Sequence, residues 1–361
     1  MDGHTGAKRR HRQAVALMAT AVMFFSTNAL FIKLTLGDND AFLYNGGIWV
    51  GMSLGLGFAA WLFYRPAFSD PDTRRVLFRR VAGLKTDGVR RWDLIGLLWL
   101  GVFGRFAVAF FAWATQYVEA ATVSVLHYTW PVIFILGLSR WDRSKRRRYR
   151  RVTGFSWTGL GLAFVGMSAV VIGTLGFDLS GADLLERVFG MVLAVISALL
   201  LACNTAVGYP MSESLSSEIT EKTDVHPDEH RLEFGCLLFV GCASGLLAIV
   251  PNLVIGWAGG GQITLATFGW AVAVGLTFVP GGVLARKAVL ITPDLAVNAL
   301  AYASPVVGLV WLGLFTEIVV ARLDLLVAGS LLVAVANVLL NRPRAEADGE
   351  MLPLDGGQRR T

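Results

Sequence analysis

Charge is scarce in this chain: only 16% of its 361 residues are Asp, Glu, Lys or Arg, against roughly a quarter in a soluble protein. No aspartate or glutamate falls deep within any of the long apolar runs, which argues against a proton relay built on intramembrane carboxylates. Cysteine is equally sparse. Cys203, Cys236 and Cys242 all lie in apolar stretches, without metal-ligand spacing and without the even set that a disulfide framework needs. No G-x-x-x-x-G-K-[ST] occurs, so nothing supports ATP-driven pumping by the chain itself. No cluster of acids or histidines at one end of the runs offers a reactive constellation. The expectation is therefore a protein that is not an enzyme, with no cofactor, no metal and no catalytic residues.

What is abundant is apolar length. Apolar residues make up 55% of the chain, and mean hydropathy is +0.58. About 20 apolar residues at a helical rise of about 1.5 Å cross the ~30 Å hydrocarbon layer. Runs of that kind fall at approximately 13–34, 42–63, 93–117, 120–139, 154–175, 187–209, 232–256, 266–286, 294–315 and 319–340. They predict an all-α integral membrane protein of ten transmembrane helices. The third and fourth runs, and the eighth and ninth, are nearly continuous, so tight turns are predicted at Tyr117–Ala120 and Thr292–Asp294. The first run continues to Leu34, too long for a signal-peptide core, and is expected to remain as a helix.

The basic residues supply the orientation. All but four of the 32 lysines and arginines lie in the N-terminal tail, 64–92, 140–153, 210–231, 286–293 or the C-terminal tail, the exceptions being Lys33, Arg105, Arg187 and Arg322. Asp38, Asp40, Glu119, Asp178, Asp183, Glu317 and Asp324 fall at the other ends of the runs. The positive-inside bias predicts an inner (plasma) membrane protein with both termini cytoplasmic. A net charge of +6 is explained by these flanking blocks, and no nucleic-acid partner is expected. The partners implied are a small-molecule substrate and the lipid bilayer; oligomeric state is open.

The chain also repeats itself. At a constant offset (305 − 131 = 174), Gly101 meets Gly275, Ala114 meets Ala288 and Leu126 meets Leu300. Tyr128 meets Tyr302, Pro131 meets Pro305, Val132 meets Val306 and Leu138 meets Leu312, with no gap. One repeat spans five helices, an odd number, so the second copy is predicted upside down. Inverted repeats characterise many secondary transporters, whose sites lie near the midplane between the halves. The predicted organisation is a basic N-terminus (1–12), a first five-helix repeat (13–175), a second (176–341) and a disordered cytoplasmic tail (342–361).

The repeated residues carry a resemblance. Ala114, Tyr117, Ala120, Ala121, Leu126, Tyr128, Pro131 and Val132 are similar to the EamA repeat of the drug/metabolite transporter superfamily. The second copy carries Ala288, Ala296, Leu300, Tyr302, Pro305 and Val306, and Glu317 matches a glutamate typical of that family. The resemblance covers roughly residues 14–340. It implies an EamA-type permease working by alternating access, and the segment His127-Tyr128-Thr129-Trp130-Pro131 resembles that of amino-acid-exporting members. Arg140–Arg143 stand where the first repeat of the family often has its glutamate, and 210–231 is a long loop for the family.

Among intramembrane residues, Arg105 lies about twelve positions into the third run, roughly 18 Å deep at a helical rise. A charge at that depth is costly and faces the bundle interior or a water-filled cavity. It either meets a substrate anion or is tied to polar partners of other helices. Tyr128 and Tyr302 enter from opposite faces to comparable depth, either lining a path or packing between repeats. Pro131 and Pro305 are expected to kink their helices. His127 could couple transport to protons or form a structural hydrogen bond. Asn28, Asn45, Asn204 and Asn298 are amides on four runs that orient a polar substrate or bridge helices. Trp130 could stack on a ligand. The candidate substrate-binding set is thus Arg105, His127, Tyr128, Trp130, Asn28, Asn204, Asn298 and Tyr302. Gly47, Gly51 and Gly55 share a face suited to close helix approach, internally or in a dimer.

Two motifs are set aside. Gly51-Met52-Ser53-Leu54-Gly55 matches a hydrolase nucleophile elbow, but in mid-helix rather than at a strand-to-helix turn. His226 to His230 gathers two histidines and two acids in a short polar loop that lacks a metal-binding helix. The sequence thus points to efflux or exchange of amino acids or related carboxylates. A lipid-linked or nucleotide-sugar carrier of the same fold is the alternative, with a membrane-embedded enzyme or non-transporting receptor as the other class.

Overall fold

The structure, a computed structural model, describes residues 2–81, 101–133, 154–175, 184–222, 229–291, 300–316 and 322–340. These residues are almost entirely helical and include no strand. In chain order the helices are α1 (Asp2–Ser26), α2 (Asn28–Leu36), α3 (Ala41–Ser69), α4 (Pro71–Val81), α5 (Ala107–Ala114), α6 (Ala120–His127) and α7 (Trp130–Ile133). They continue as α8 (Gly154–Leu175), α9 (Leu184–Lys222), α10 (Glu229–Ala258), α11 (Leu265–Ile291), α12 (Ser304–Phe315) and α13 (Leu323–Leu340), with a 3₁₀ turn at Leu300–Ala303 before α12. Five helical stretches are long and apolar enough to cross a membrane: Arg9–Leu36, Ala41–Phe63, Leu184–Asn204, Leu232–Ala258 and Leu265–Ala288. The chain is thus an all-α protein consistent with several passes through a bilayer.

The distribution of polarity fits that solvent. Large apolar side chains such as Phe58, Trp61, Phe164, Leu185 and Leu314 are exposed on the outside of the bundle. Polar ones such as Asn45, Ser53, Arg105, Ser197, Ser244 and Asn252 are buried inside it. In hydrocarbon this is the stable arrangement, because polar groups find partners only within the protein.

Helix contacts follow small residues. A Cβ on Gly51 would strike the carbonyl of Val272 on α11, and one on Gly275 would strike that of Ile48 on α3. Gly47 faces Ala271 and Phe268, and Gly55 faces Val279. The glycine face of α3 therefore serves an internal contact with α11. Gly166 of α8 and Gly329 of α13 approach each other's carbonyls in the same way. Without a hydrophobic drive between helices in lipid, such close approach is a main source of packing energy.

Several helices are interrupted. The first apolar run breaks at Thr27, the third at Arg105–Phe106 and the fourth at Tyr128–Thr129. Pro131 and Pro305 do not kink continuous helices; each is the second residue of a restarted one, α7 and α12. A proline near a helix start has no intrahelical hydrogen bond to lose, which is why the chain breaks there rather than bends. The two restarts, Trp130 and Ser304, keep the sequence offset (304 − 130 = 174).

Two expected loops are partly helical. Residues 210–222 continue α9, which at 39 residues is far longer than a bilayer needs. Within 64–92, α3 runs on to Ser69 and α4 follows, capped by Asp70, whose Oδ2 accepts the amide of Thr73 at 2.7 Å. Val76 and Leu77 of α4 are buried with Met211, Leu215 and Ile219 of α9 and Leu232 of α10. This apolar core holds the extensions together beyond the spanning segments. The 286–293 segment is likewise helical as far as Ile291, and the turn expected at Thr292–Asp294 lies outside the described residues. The turn expected at Tyr117–Ala120 is present between α5 and α6.

Candidate functional site

Arg105 anchors the site because the chain unwinds around it. Its amide donates to Val102 and that of Phe106 to Phe103, a tighter register than an α-helix. Its carbonyl instead accepts Trp49 Nε1 at 2.9 Å and Asn45 Nδ2 at 3.3 Å, both from α3. Asn45 in turn donates to Asn252 Oδ1 of α10 at 2.8 Å, and Asn252 donates to Ala248. The first three links join neighbouring helices and the last ties Asn252 to its own, so the break is held by α3, which α10 supports in turn.

The guanidinium is 5% exposed. Its Cζ lies 4.5 Å from the Trp49 ring centroid, a cation–π stack. Nε and Nη2 both donate to Ser244 Oγ of α10, at 3.1 and 2.7 Å. Ser244 gives its own proton to Val240 O at 2.7 Å, so its two lone pairs are free to take both arginine donors. Of five guanidinium N–H groups, this leaves three beyond Ser244. Among the described residues no carboxylate pairs with Arg105. Arg286 of α11 presents its guanidinium to Gly241, one turn of α10 from Ser244. The neighbourhood is cationic. Asn204 of α9 packs directly on Gly104, where a side chain would not fit.

A second group adjoins it through Ala107. Ser197 Oγ of α9 donates to the Ala107 carbonyl at 2.5 Å and contacts His127 Nδ1 at 2.8 Å. Since the serine proton goes to Ala107, His127 Nδ1 must be the donor, and in the neutral ring Nε2 keeps its lone pair. Phe111 and Tyr128 meet the imidazole edge-on at 5.2 and 5.5 Å. The Tyr128 hydroxyl donates to Phe25 O at 3.4 Å and pairs with Ser304 at the restart of α12. Trp311 Nε1 of α12 donates to Ser26 Oγ at 3.0 Å, beside the break at Thr27. Asn28 stands just past that break, its Oδ1 buried and without a partner among the described residues.

Of the sequence-predicted residues, Arg105 and Asn204 fall together at one helix break, and His127, Tyr128 and Asn28 gather near the others. Trp130 opens α7 and is half-buried. The Tyr302 side chain, Asn298 and Glu317 lie outside the described residues, as do Arg140–Arg143, His226 and the C-terminal tail. Ser53 of the hydrolase-like motif is buried in the middle of α3. No group able to hold a metal occurs among the described residues. Sequence reasoning missed Trp49, Ser244, Ser197 and Asn252. Spacing offered one clue: Asn45 and Trp49 are four apart, hence on one helix face with a common target.

Neither a family model nor a curated protein matches the chain. Nine solved chains match in fold. One is a crystal structure described simply as that of a protein, with TM-score 0.52 and 17% identity, covering 91% of this chain and 96% of that one. At that identity the likeness concerns the fold alone.

Proposed function

We propose that the chain is a secondary transporter of small polar metabolites that carry a carboxylate, amino acids and related carboxylates first, of the EamA type within the drug/metabolite transporter superfamily. It works by alternating access between two inverted five-helix halves, with both termini in the cytoplasm. The observation that carries this reading is Arg105: a buried guanidinium, positioned by Ser244 and Trp49, with three donors left over and no carboxylate of the described chain paired to it. Burying an unpaired charge within a bilayer costs several kcal/mol by most estimates, about 3 on insertion scales. A substrate carboxylate in bidentate contact offsets that cost, and arginine is suited to such geometry.

Helix pairing supports the inverted repeat. In helix order, α3 is matched by α10, α8 by α13, and α6 with α7 by the 3₁₀ turn with α12, and the 174-residue offset superposes the α7 and α12 restarts. The contacts α3–α10, α8–α13 and α6–α12 are then each between equivalents. The contact α1–α11 exchanges with α9–α5, and α1–α12 exchanges with α9–α6. The arginine break has no counterpart of the same kind: Phe106 corresponds to Pro280, which lies within the unbroken helix α11.

The end of the bundle predicted to face outward is tied shut. Lys33 Nζ reaches Glu119 Oε2 at 2.8 Å. Gln116 Nε2 donates to Asn39 O at 3.0 Å, Thr264 N to Asn39 Oδ1 at 3.2 Å, and Asp40 N to Gln262 O at 3.0 Å. The last two join the first repeat to the second. Such contacts suit a state closed to the outside.

Counterflow uptake in proteoliposomes preloaded with unlabelled amino acids and carboxylates tests the function. The expected result is uptake of a labelled carboxylate by the wild type and none by folded Arg105→Gln. Exchange only of compounds that lack a carboxylate would overturn the reading.

A further inference from the structure

α4 is a short helix whose outer face is basic. Thr73, Val76 and Leu77 are buried, whereas Arg74, Arg75, Phe78 and Arg79 are exposed. The exposed residues form two i,i+4 pairs, Arg74 with Phe78 and Arg75 with Arg79, and so share one stripe. Phe78 is 66% exposed, between arginines. The only acidic counterweights in the described segment are Asp72, 4.0 Å from Arg75, and the capping Asp70. The opposite face is committed to the core with α9 and α10. What remains outward is a cationic surface with an aromatic centre.

Its position indicates the partner. The lipid-exposed side chains of α3 end with Phe58, Trp61, Leu62 and Phe63, and Arg65 then stacks on Trp61 at 5.5 Å. A tryptophan with a neighbouring arginine marks the boundary between hydrocarbon and headgroups. From Arg65 to Pro71 is six residues, about 9 Å at helical rise, so α4 starts at the headgroup layer. Arginine is the side chain best matched to phosphate, and an exposed phenylalanine gains by entering the acyl boundary.

We propose that α4 is a docking helix for anionic phospholipid headgroups, with Arg74, Arg75 and Arg79 on phosphates and Phe78 inserted between them. The proposal rests on the membrane reading and is independent of what the chain carries. Because α4 is packed on the extensions of α9 and α10, lipid held there also fixes the ends of two spanning helices.

Hydrogen–deuterium exchange of the full chain in nanodiscs tests this locally. In phosphatidylglycerol discs, exchange across residues 71–81 is expected to be about tenfold slower than in phosphatidylcholine discs. The difference should vanish in Arg74→Gln/Arg75→Gln/Arg79→Gln and shrink in Phe78→Ser, while α10 peptides stay protected in both, reporting an intact fold. Equal exchange of wild-type 71–81 in the two lipids would overturn the proposal. So would equal protection by soluble glycerol phosphate added to phosphatidylcholine discs, which would indicate a free-anion site.

Discussion

The two halves of this chain share a register yet divide the labour. At the 174-residue offset, Arg105 corresponds to Val279, His127 to Ala301 and Trp130 to Ser304. Where the first half has a charge stacked on Trp49, the second has a valine packed on Gly55. Where the first has an imidazole bonded to Ser197, the second has a methyl group. Geometry is what the halves retain in common: prolines at helix restarts, small residues at crossings, and contacts that fall between equivalents. In the proposed arrangement two inverted copies would make a symmetric cage, whereas a substrate with one charged end needs recognition from one side only. The asymmetry of side chains within a shared backbone register is therefore informative about function.

That comparison can be broken. The largest effect on stability is expected at a conserved-geometry position of the second half. Gly275→Leu pushes α11 off the Ile48 carbonyl, costing about 1–3 kcal/mol as overpacking does. Thermal unfolding should fall by several degrees while the apparent affinity of the folded fraction is unchanged. At the arginine that the first half contributes, the order reverses. Ser244→Ala removes the acceptor of two arginine donors and is expected to weaken substrate affinity about fivefold, for roughly 1 kcal/mol of lost positioning. Its melting temperature should move little, because Asn45, Asn252 and Trp49 still hold the helix break.

A smaller change is expected for Tyr128→Phe, whose hydroxyl makes one long bond to Phe25 and one to Ser304. Membrane hydrogen bonds average about 0.6 kcal/mol, so a two- to threefold change in KM is expected. The smallest is at the outer latch. Lys33 and Glu119 are part-exposed, and such pairs contribute about 0–1 kcal/mol. Lys33→Glu should shift accessibility of an outer-facing cysteine label modestly, and the swap Lys33→Glu/Glu119→Lys should restore it. Failure of the swap to restore would mean that Asn39 and Asp40 hold the latch alone.

Much of this was legible in the sequence. Apolar runs located the helices because bilayer thickness fixes their length, and Gly47, Gly51 and Gly55 announced a close crossing. The prolines marked the right positions, though as restarts rather than kinks, since hydropathy is blind to a break that keeps its side chains apolar. Arg105 stood out because a lone charge that deep in an apolar run must either meet a ligand or be tied to polar partners of other helices. Ser244 and Ser197 did not, because small hydroxyls are common packing residues in membrane helices. The helical part of 210–231 was hidden by its many acids, which read as a loop although Met211, Leu215 and Ile219 recur at four-residue steps.

The most direct test of the central claim is equilibrium binding of a carboxylate ligand and its neutral methyl ester to purified wild type and Arg105→Gln. Wild type should favour the carboxylate by at least about thirtyfold, corresponding to the roughly 2 kcal/mol lower bound for a buried charge pair. The variant should bind both forms alike. A variant that still prefers the carboxylate as strongly as wild type would contradict the account and return Arg105 to a purely structural role.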